Sequence, residues 1–374
     1  MAGVLDAGTL RGIIGRRSEC VSKRRWGMST EILDRVSRSG REFLGVRYPF
    51  LCGAMTWISD PRLVAAVSNA GGFASLAGGN MPTEMLERQI KETRDLTDRP
   101  FAVNLITIAP VYMEHLETVC RQEVPFIVFA GSFPRKAEVQ KARNCGARVL
   151  CFASTKSIAE RMLDYGADAL ILEGMEAGGH VGRVTLTILL QQVLFEVADV
   201  PVFVAGGIAT GRMCAHLFLM GAAGVQFGTL FAVARESCAH PKFKQAFIRA
   251  RARDAVSTPA FDTRLSVVPV RALRNLSTDD FAHLQLDLME KLDIGGITSE
   301  EAQLKVEEFW AGRLHDAVID GDVSYGSMMA GQSVGLVNAE LPVKDIIARL
   351  VADTEAELHR IRGTLAATGS GGPV

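Results

Sequence analysis

A glycine-rich run carrying two carboxylates and one imidazole, Glu173-Gly174-Met175-Glu176-Ala177-Gly178-Gly179-His180, is the strongest chemical constellation in the chain. Such groups can move protons near neutral pH, and the glycines leave little side-chain bulk around them. Two further motifs, Ala205-Gly206-Gly207-Ile208 and Phe227-Gly228-Thr229, could bring backbone N–H groups close to an anion. Either alone reads equally well as a tight turn; together they favour phosphate. Of the seven histidines, His115, His216, His283, His315 and His359 fall in helical segments, where a solvated or packed role is expected. His240, after Glu236-Ser237-Cys238-Ala239, reads as a residue that caps or packs at a helix start. His180 is the acid–base candidate. The histidines form no HxxxH pair and no His/Cys cluster with zinc spacing, so no metal site is expected. Cys52 lacks an evident basic partner and reads as a small buried hydrophobe. There is no GxGxxG after the first strand and no GxxxxGK[ST], which disfavours a Rossmann site or a P-loop.

These groups must be carried by elements. From Tyr48 onward, short apolar runs alternate with longer segments of helical periodicity, the pattern of parallel βα units. Eight runs read as strands: 49–55, 72–78, 101–106, 126–131, 148–154, 169–175, 202–207 and 224–229. Several are apolar at successive positions, such as Ala169-Leu170-Ile171-Leu172, as strands covered on both faces must be. Asp60-Pro61, Met81-Pro82-Thr83-Glu84 and Phe133-Pro134 mark helix starts. The expected fold is α/β, a (β/α)8 TIM barrel with a small C-terminal helical cap, and the strand C-termini should carry the site. Those ends hold Gly53, Ala54 and Met55, then Gly79-Asn80, Asn104, Gly131, the run from Glu173, and the two glycine motifs. The expected segments are a basic extension and lead-in over 1–42, the barrel over 43–252, the cap over 253–341, and, over 342–374, a returning helix from Pro342 to about Arg362 with a disordered tail, Thr364 to Val374.

A chain of 374 residues that is 48% hydrophobic can bury one barrel-sized core. A net charge of −1 provides no field for a polyanion, so no nucleic acid is expected as a partner. No apolar run reaches the roughly 18 residues that a bilayer span needs, and the seven cysteines form no CxxC pair or dense framework. A cytoplasmic protein with reduced thiols and no membrane partner is expected. Arg11, Arg16, Arg17, Lys23, Arg24 and Arg25 make the N-terminus basic; it reads as an extension ahead of Met28, with a transit peptide or an anion-binding arm as alternatives.

The motifs, together with Gly321-Asp322-Val323 and Gly326-Ser327-Met328-Met329-Ala330-Gly331-Gln332, resemble the family of nitronate monooxygenases (2-nitropropane dioxygenases) and FMN-dependent enoyl-ACP reductases. The resemblance covers about residues 43 to 350, and the run 173–182 looks closest to the enoyl reductase branch. It implies FMN held by Gly53, Ala54, Met55, Asn104, Glu173, Gly178, Gly179, Gly206, Gly207, Gly228 and Thr229, with Met329 and Gln332 closing from the cap. It further implies NAD(P)H as co-substrate, a small-molecule or acyl-thioester substrate, a homodimer, and His180 as the catalytic residue facing flavin and substrate. Nitronate oxidation and quinone reduction are the alternative activities. Ala54 departs from the Gly-Gly-Met that family members often carry, a difference that is tolerable if its φ is negative.

Overall fold

The computed structural model describes residues 30–79, 81–259, 261 and 269–368. The basic run from Arg11 to Arg25, Asn80 and the last tail residues, 369–374, lie outside them. Eight parallel strands close a barrel in the order β1-β2-β3-β4-β5-β6-β8-β9. They are β1 (Phe50–Cys52), β2 (Phe73–Ala77), β3 (Ala102–Ile106), β4 (Phe126–Ala130), β5 (Arg148–Ala153), β6 (Ala169–Glu173), β8 (Val202–Ala205) and β9 (Gly224–Phe227). Each lies within one of the eight expected runs. Ahead of the barrel come α1 (Glu31–Val36) and α2 (Arg38–Leu44). Around it run α3 (Pro61–Asn69), α4 (Thr83–Leu96), α5 (Tyr112–Arg121), α6 (Lys136–Asn144), α7 (Lys156–Tyr165), α8 (Leu186–Leu189) and α9 (Gly211–Leu219). Asp60 caps α3 by accepting from the Leu63 N–H at 3.0 Å, with Pro61 in the first turn.

Strand parity sorts the side chains. In β6, Ala169 and Ile171 join an inner cluster with Leu51, Phe73, Phe126, Leu150 and Phe203, while Leu170 and Leu172 belong to the larger cluster that faces the helices. Phe43 and Leu44 of α2 also pack against the inner cluster. The Phe43 ring stands 5.9 Å from Phe126 and 6.0 Å from Phe203. Below the strand C-termini the barrel interior is thus filled largely by apolar side chains.

Beyond α10 (Thr229–Ala232) and α11 (Pro241–Arg249), the cap carries α12 (Leu276–Asp293), α13 (Ser299–His315) and a π-helical turn, Asp316–Asp320. It is not purely helical. Strands β10 (Ala255–Ser257) and β11 (Val270–Leu273) pair antiparallel, and β11 pairs in turn with β7 (Gly179–His180), in the register Val270↔His180 and Arg271↔Gly179. The final helix, α14 (Val343–Thr368), continues past Arg362, so residues 364–368, expected in the tail, are helical. Among the described residues no helix is long and apolar enough to cross a membrane.

Candidate active site

The inner-face parity of the barrel ends in polar groups. Asn104 follows Ala102 inward on β3, Glu173 follows Ile171 on β6, and Gln226 lies between the outward-facing Val225 and Phe227 on β9. All three line one cavity of about 370 Å³ at the strand C-termini. Asn104 is 6% and Gln226 8% exposed. Among the described residues none of the three side chains has a hydrogen-bond partner in the protein. Buried polar groups are normally paired, so this cluster leaves donors and acceptors available to a molecule in the cavity. Burial pushes the Glu173 carboxyl up to about 8, which leaves it largely protonated and able to donate near neutral pH.

Backbone groups complete the wall. Gly206 and Gly207 adopt φ of 97° and 71°, in the left-handed region that favours glycine. Their N–H groups and that of Gly228 meet no protein acceptor among the described residues. The Thr229 hydroxyl accepts from the Gly331 N–H at 3.1 Å, tying the cap run to the end of β9. Gly178 is required by close approach, since a Cβ there would lie 2.5 Å from the Gly331 nitrogen and 2.6 Å from the Ala330 carbonyl carbon. Ala54 has no left-handed φ, so its methyl is accommodated.

Gly53, Ala54, Met55, Asn104, Glu173, Gly178, Gly179, His180, Gly206, Gly207, Gly228, Thr229 and Met329 all line the cavity. Gln332 does not: its N–H donates to the Glu176 carbonyl at 2.9 Å, bracing the loop from behind. Glu176, expected at the mouth, turns away from it and accepts from the Leu186 N–H at 3.0 Å, at the start of α8. The loop is also held by Arg271, a buried cation whose Nε donates to the Met175 carbonyl at 3.1 Å and Nη1 to the Ala255 carbonyl at 2.7 Å. Burial lowers the Arg271 pKa, partly offset by the Glu176 carboxylate.

His180 presents Nε2 to Oε1 of Glu307, on α13, at 3.4 Å. Sequence reading missed Glu307 and Gln226. Strand parity in β9 signals the second; no local pattern signals the first. His240 caps α11, its Nδ1 accepting from the Lys242 N–H at 3.1 Å, as expected. Cys52 faces the helices, and burial raises its thiol to about 12, too high for a nucleophile.

The nitronate monooxygenase family model matches residues 39–115 and 106–353. The solved structure of FabK from Thermotoga maritima is similar to this chain with a TM-score of 0.77 and 34% identity, covering 87% of this chain and 98% of that one. The (3aS,4S,5R,7aS)-5-hydroxy-7a-methyl-1-oxo-octahydro-1H-indene-4-carboxyl-CoA dehydrogenase of Rhodococcus jostii strain RHA1 is 29% identical over 339 residues, 83% of this chain and 94% of the relative. A probable nitronate monooxygenase of Staphylococcus aureus strain MSSA476 is 25% identical over 354 residues, 83% and 95% of the two chains. With the match spanning most of the barrel and cap, the chain belongs to the nitronate monooxygenase family and is an oxidoreductase.

Proposed function

We propose that the chain is an FMN-dependent reductase that uses NAD(P)H to reduce the double bond of an enoyl thioester. The observation that carries this reading is the placement of His180 with Glu173 and residues 177–182, from the segment that resembles the enoyl reductases, on the wall of one cavity. A relative named for a carboxyl-CoA compound supports a thioester substrate.

The residues suit FMN. The free N–H groups of Gly206, Gly207 and Gly228 offer donors to its phosphate. Asn104, Glu173 and Gln226 offer a set of unpaired donors and acceptors to the ring. Gly53, Ala54, Met55, Gly178, Gly179 and Met329 line the space between with little polarity. Bound there, FMN supplies hydride acceptance from the nicotinamide and hydride donation to the β-carbon of the substrate. The protein supplies position, electrostatics and exclusion of water. His180 holds the proton that the α-carbon receives, from the cap side of the cavity.

Anaerobic mixing of the FMN-loaded protein with NADH, NADPH and propionate 3-nitronate, each alone, tests this through the flavin absorbance. Bleaching by a nicotinamide, reversed by an enoyl thioester, is expected. Bleaching by nitronate alone would move the chain to the monooxygenase reading, which its family model and the Staphylococcus relative favour.

A further inference from the structure

We infer that Glu307 is the positioning residue of His180: its carboxylate accepts from Nε2–H, holding the neutral imidazole in one tautomer and leaving Nδ1 to face the reacting molecule. The inference deepens the reading above, in which His180 handles a proton. It assigns a role to a cap residue that no motif marks.

Three observations converge. First, Nε2 and Oε1 stand 3.4 Å apart, longer than a formed hydrogen bond and within the range that tightens when a ligand seats. Second, Glu307 differs from the other acids on its helix. Glu300, Glu301 and Glu308 are exposed, whereas the Glu307 side chain is only 16% exposed and has no other partner among the described residues. Withdrawing a carboxylate from water is costly unless a donor meets it, and His180 is the donor within reach. Third, α13 presents this face to the barrel. Glu307, Ala311 and Leu314 recur at helical spacing, and Leu314 lines the cavity. The Trp57 indole N–H donates to the Ala311 carbonyl at 3.4 Å, and its ring stands edge-on to His315 at 5.0 Å. Trp57 reaches this position from a left-handed φ of 66°, a conformation kept only where surroundings enforce it. The β1 loop therefore pins the helix that carries Glu307.

A carboxylate on one ring nitrogen fixes both ring orientation and tautomer, so the other nitrogen meets its target in a defined state. Here Nε2–H points to Glu307. The neutral ring then offers Nδ1 as acceptor, and the protonated ring offers Nδ1–H to the substrate carbon.

The test is long-range ¹⁵N–¹H correlation on ¹⁵N-histidine-labelled, FMN-loaded protein, with His180 assigned by loss of its signals in His180→Gln. The wild type should show neutral His180 as the Nε2–H tautomer. Glu307→Leu should lose the hydrogen-bonded, slowly exchanging Nε2–H proton signal that the wild type shows, and kcat for enoyl reduction should fall roughly tenfold or more, below the ~10²–10⁴ that acid–base catalysis contributes, with KM little changed. Glu307→Gln, whose amide oxygen still accepts from Nε2–H, should keep that proton signal and recover part of kcat. Glu308→Gln, on the exposed side, should match wild type. A wild-type Nδ1–H tautomer, or an unchanged Nε2–H proton signal in Glu307→Leu, would overturn the assignment. A wild type inactive on enoyl thioesters that still shows the Glu307-dependent Nε2–H signal would overturn the reductase reading and support the pair.

Discussion

At the scale of single residues, the unpaired Glu173 carboxyl makes a measurable prediction. Its ordinary pKa of 4.5 rises to about 8 through burial, so between those values the folded chain holds a proton that the unfolded chain releases. Folding stability then falls as pH rises through that window and levels off above it. In ligand-free protein, urea midpoints should drop between pH 5 and pH 8, and Glu173→Gln should remove this part of the drop. Equal pH profiles for the two proteins would show that Glu173 ionises normally. Glu173 and His180 were legible in the sequence because glycines isolate them within one loop. Gln226 was legible only through parity, as a polar residue on the inward side of an apolar strand. Glu307 was not legible at all, because only the folding of the cap brings α13 over the loop after β6.

Elements were legible in proportion to their burial. The barrel strands are covered on both faces and read as continuous apolar runs. Strands β7, β10 and β11 span two to four residues, and β11 carries the charged Arg271 at its second position, so no periodicity marked them. Their role is local: they clamp the loop that bears His180. That clamp leaves no room at Gly178, where a Cβ would strike the backbone of Ala330 and Gly331. Gly178→Ala should therefore cost about 1–3 kcal/mol of stability and weaken flavin retention by forcing the cap run away from Thr229. Gly146→Ala is the control, since its φ of 89° strains any side chain but its surroundings are open. Thermal unfolding and the flavin absorbance after gel filtration read both effects. A Gly178→Ala protein that binds flavin normally would place the cap run outside the site.

For the whole molecule, the last helix is part of the core. Val343, Ile346, Ile347, Leu350 and Leu358 of α14 are buried. Thr354 Oγ1 donates to the Gly211 carbonyl at 3.0 Å, at the start of α9, and Glu355 accepts from the Leu33 N–H at 2.9 Å. Burying five such side chains contributes on the order of 10 kcal/mol, comparable to the total stability of a typical domain. A chain ending before Val343 should give no soluble folded protein, as judged by solubility after expression and far-ultraviolet circular dichroism. A cooperative, flavin-binding truncation would show that the barrel closes unaided. The helix was legible in the sequence from Pro342 onward. Its reach past Arg362 was not, because residues 364–368 lack the charged pattern of the rest.

The strand pairing of His180 with Val270 has an evolutionary consequence. Main-chain hydrogen bonds hold the backbone of His180 in place, and these are indifferent to the side chains that flank them. Mutations can therefore reshape the roof over the cavity, altering which molecules enter, while the histidine stays in register. Relatives named for nitronates and for a carboxyl-CoA compound can diverge in this way on one barrel. Substrate range can then drift without displacing the proposed proton-handling group, so long as Glu307 is kept.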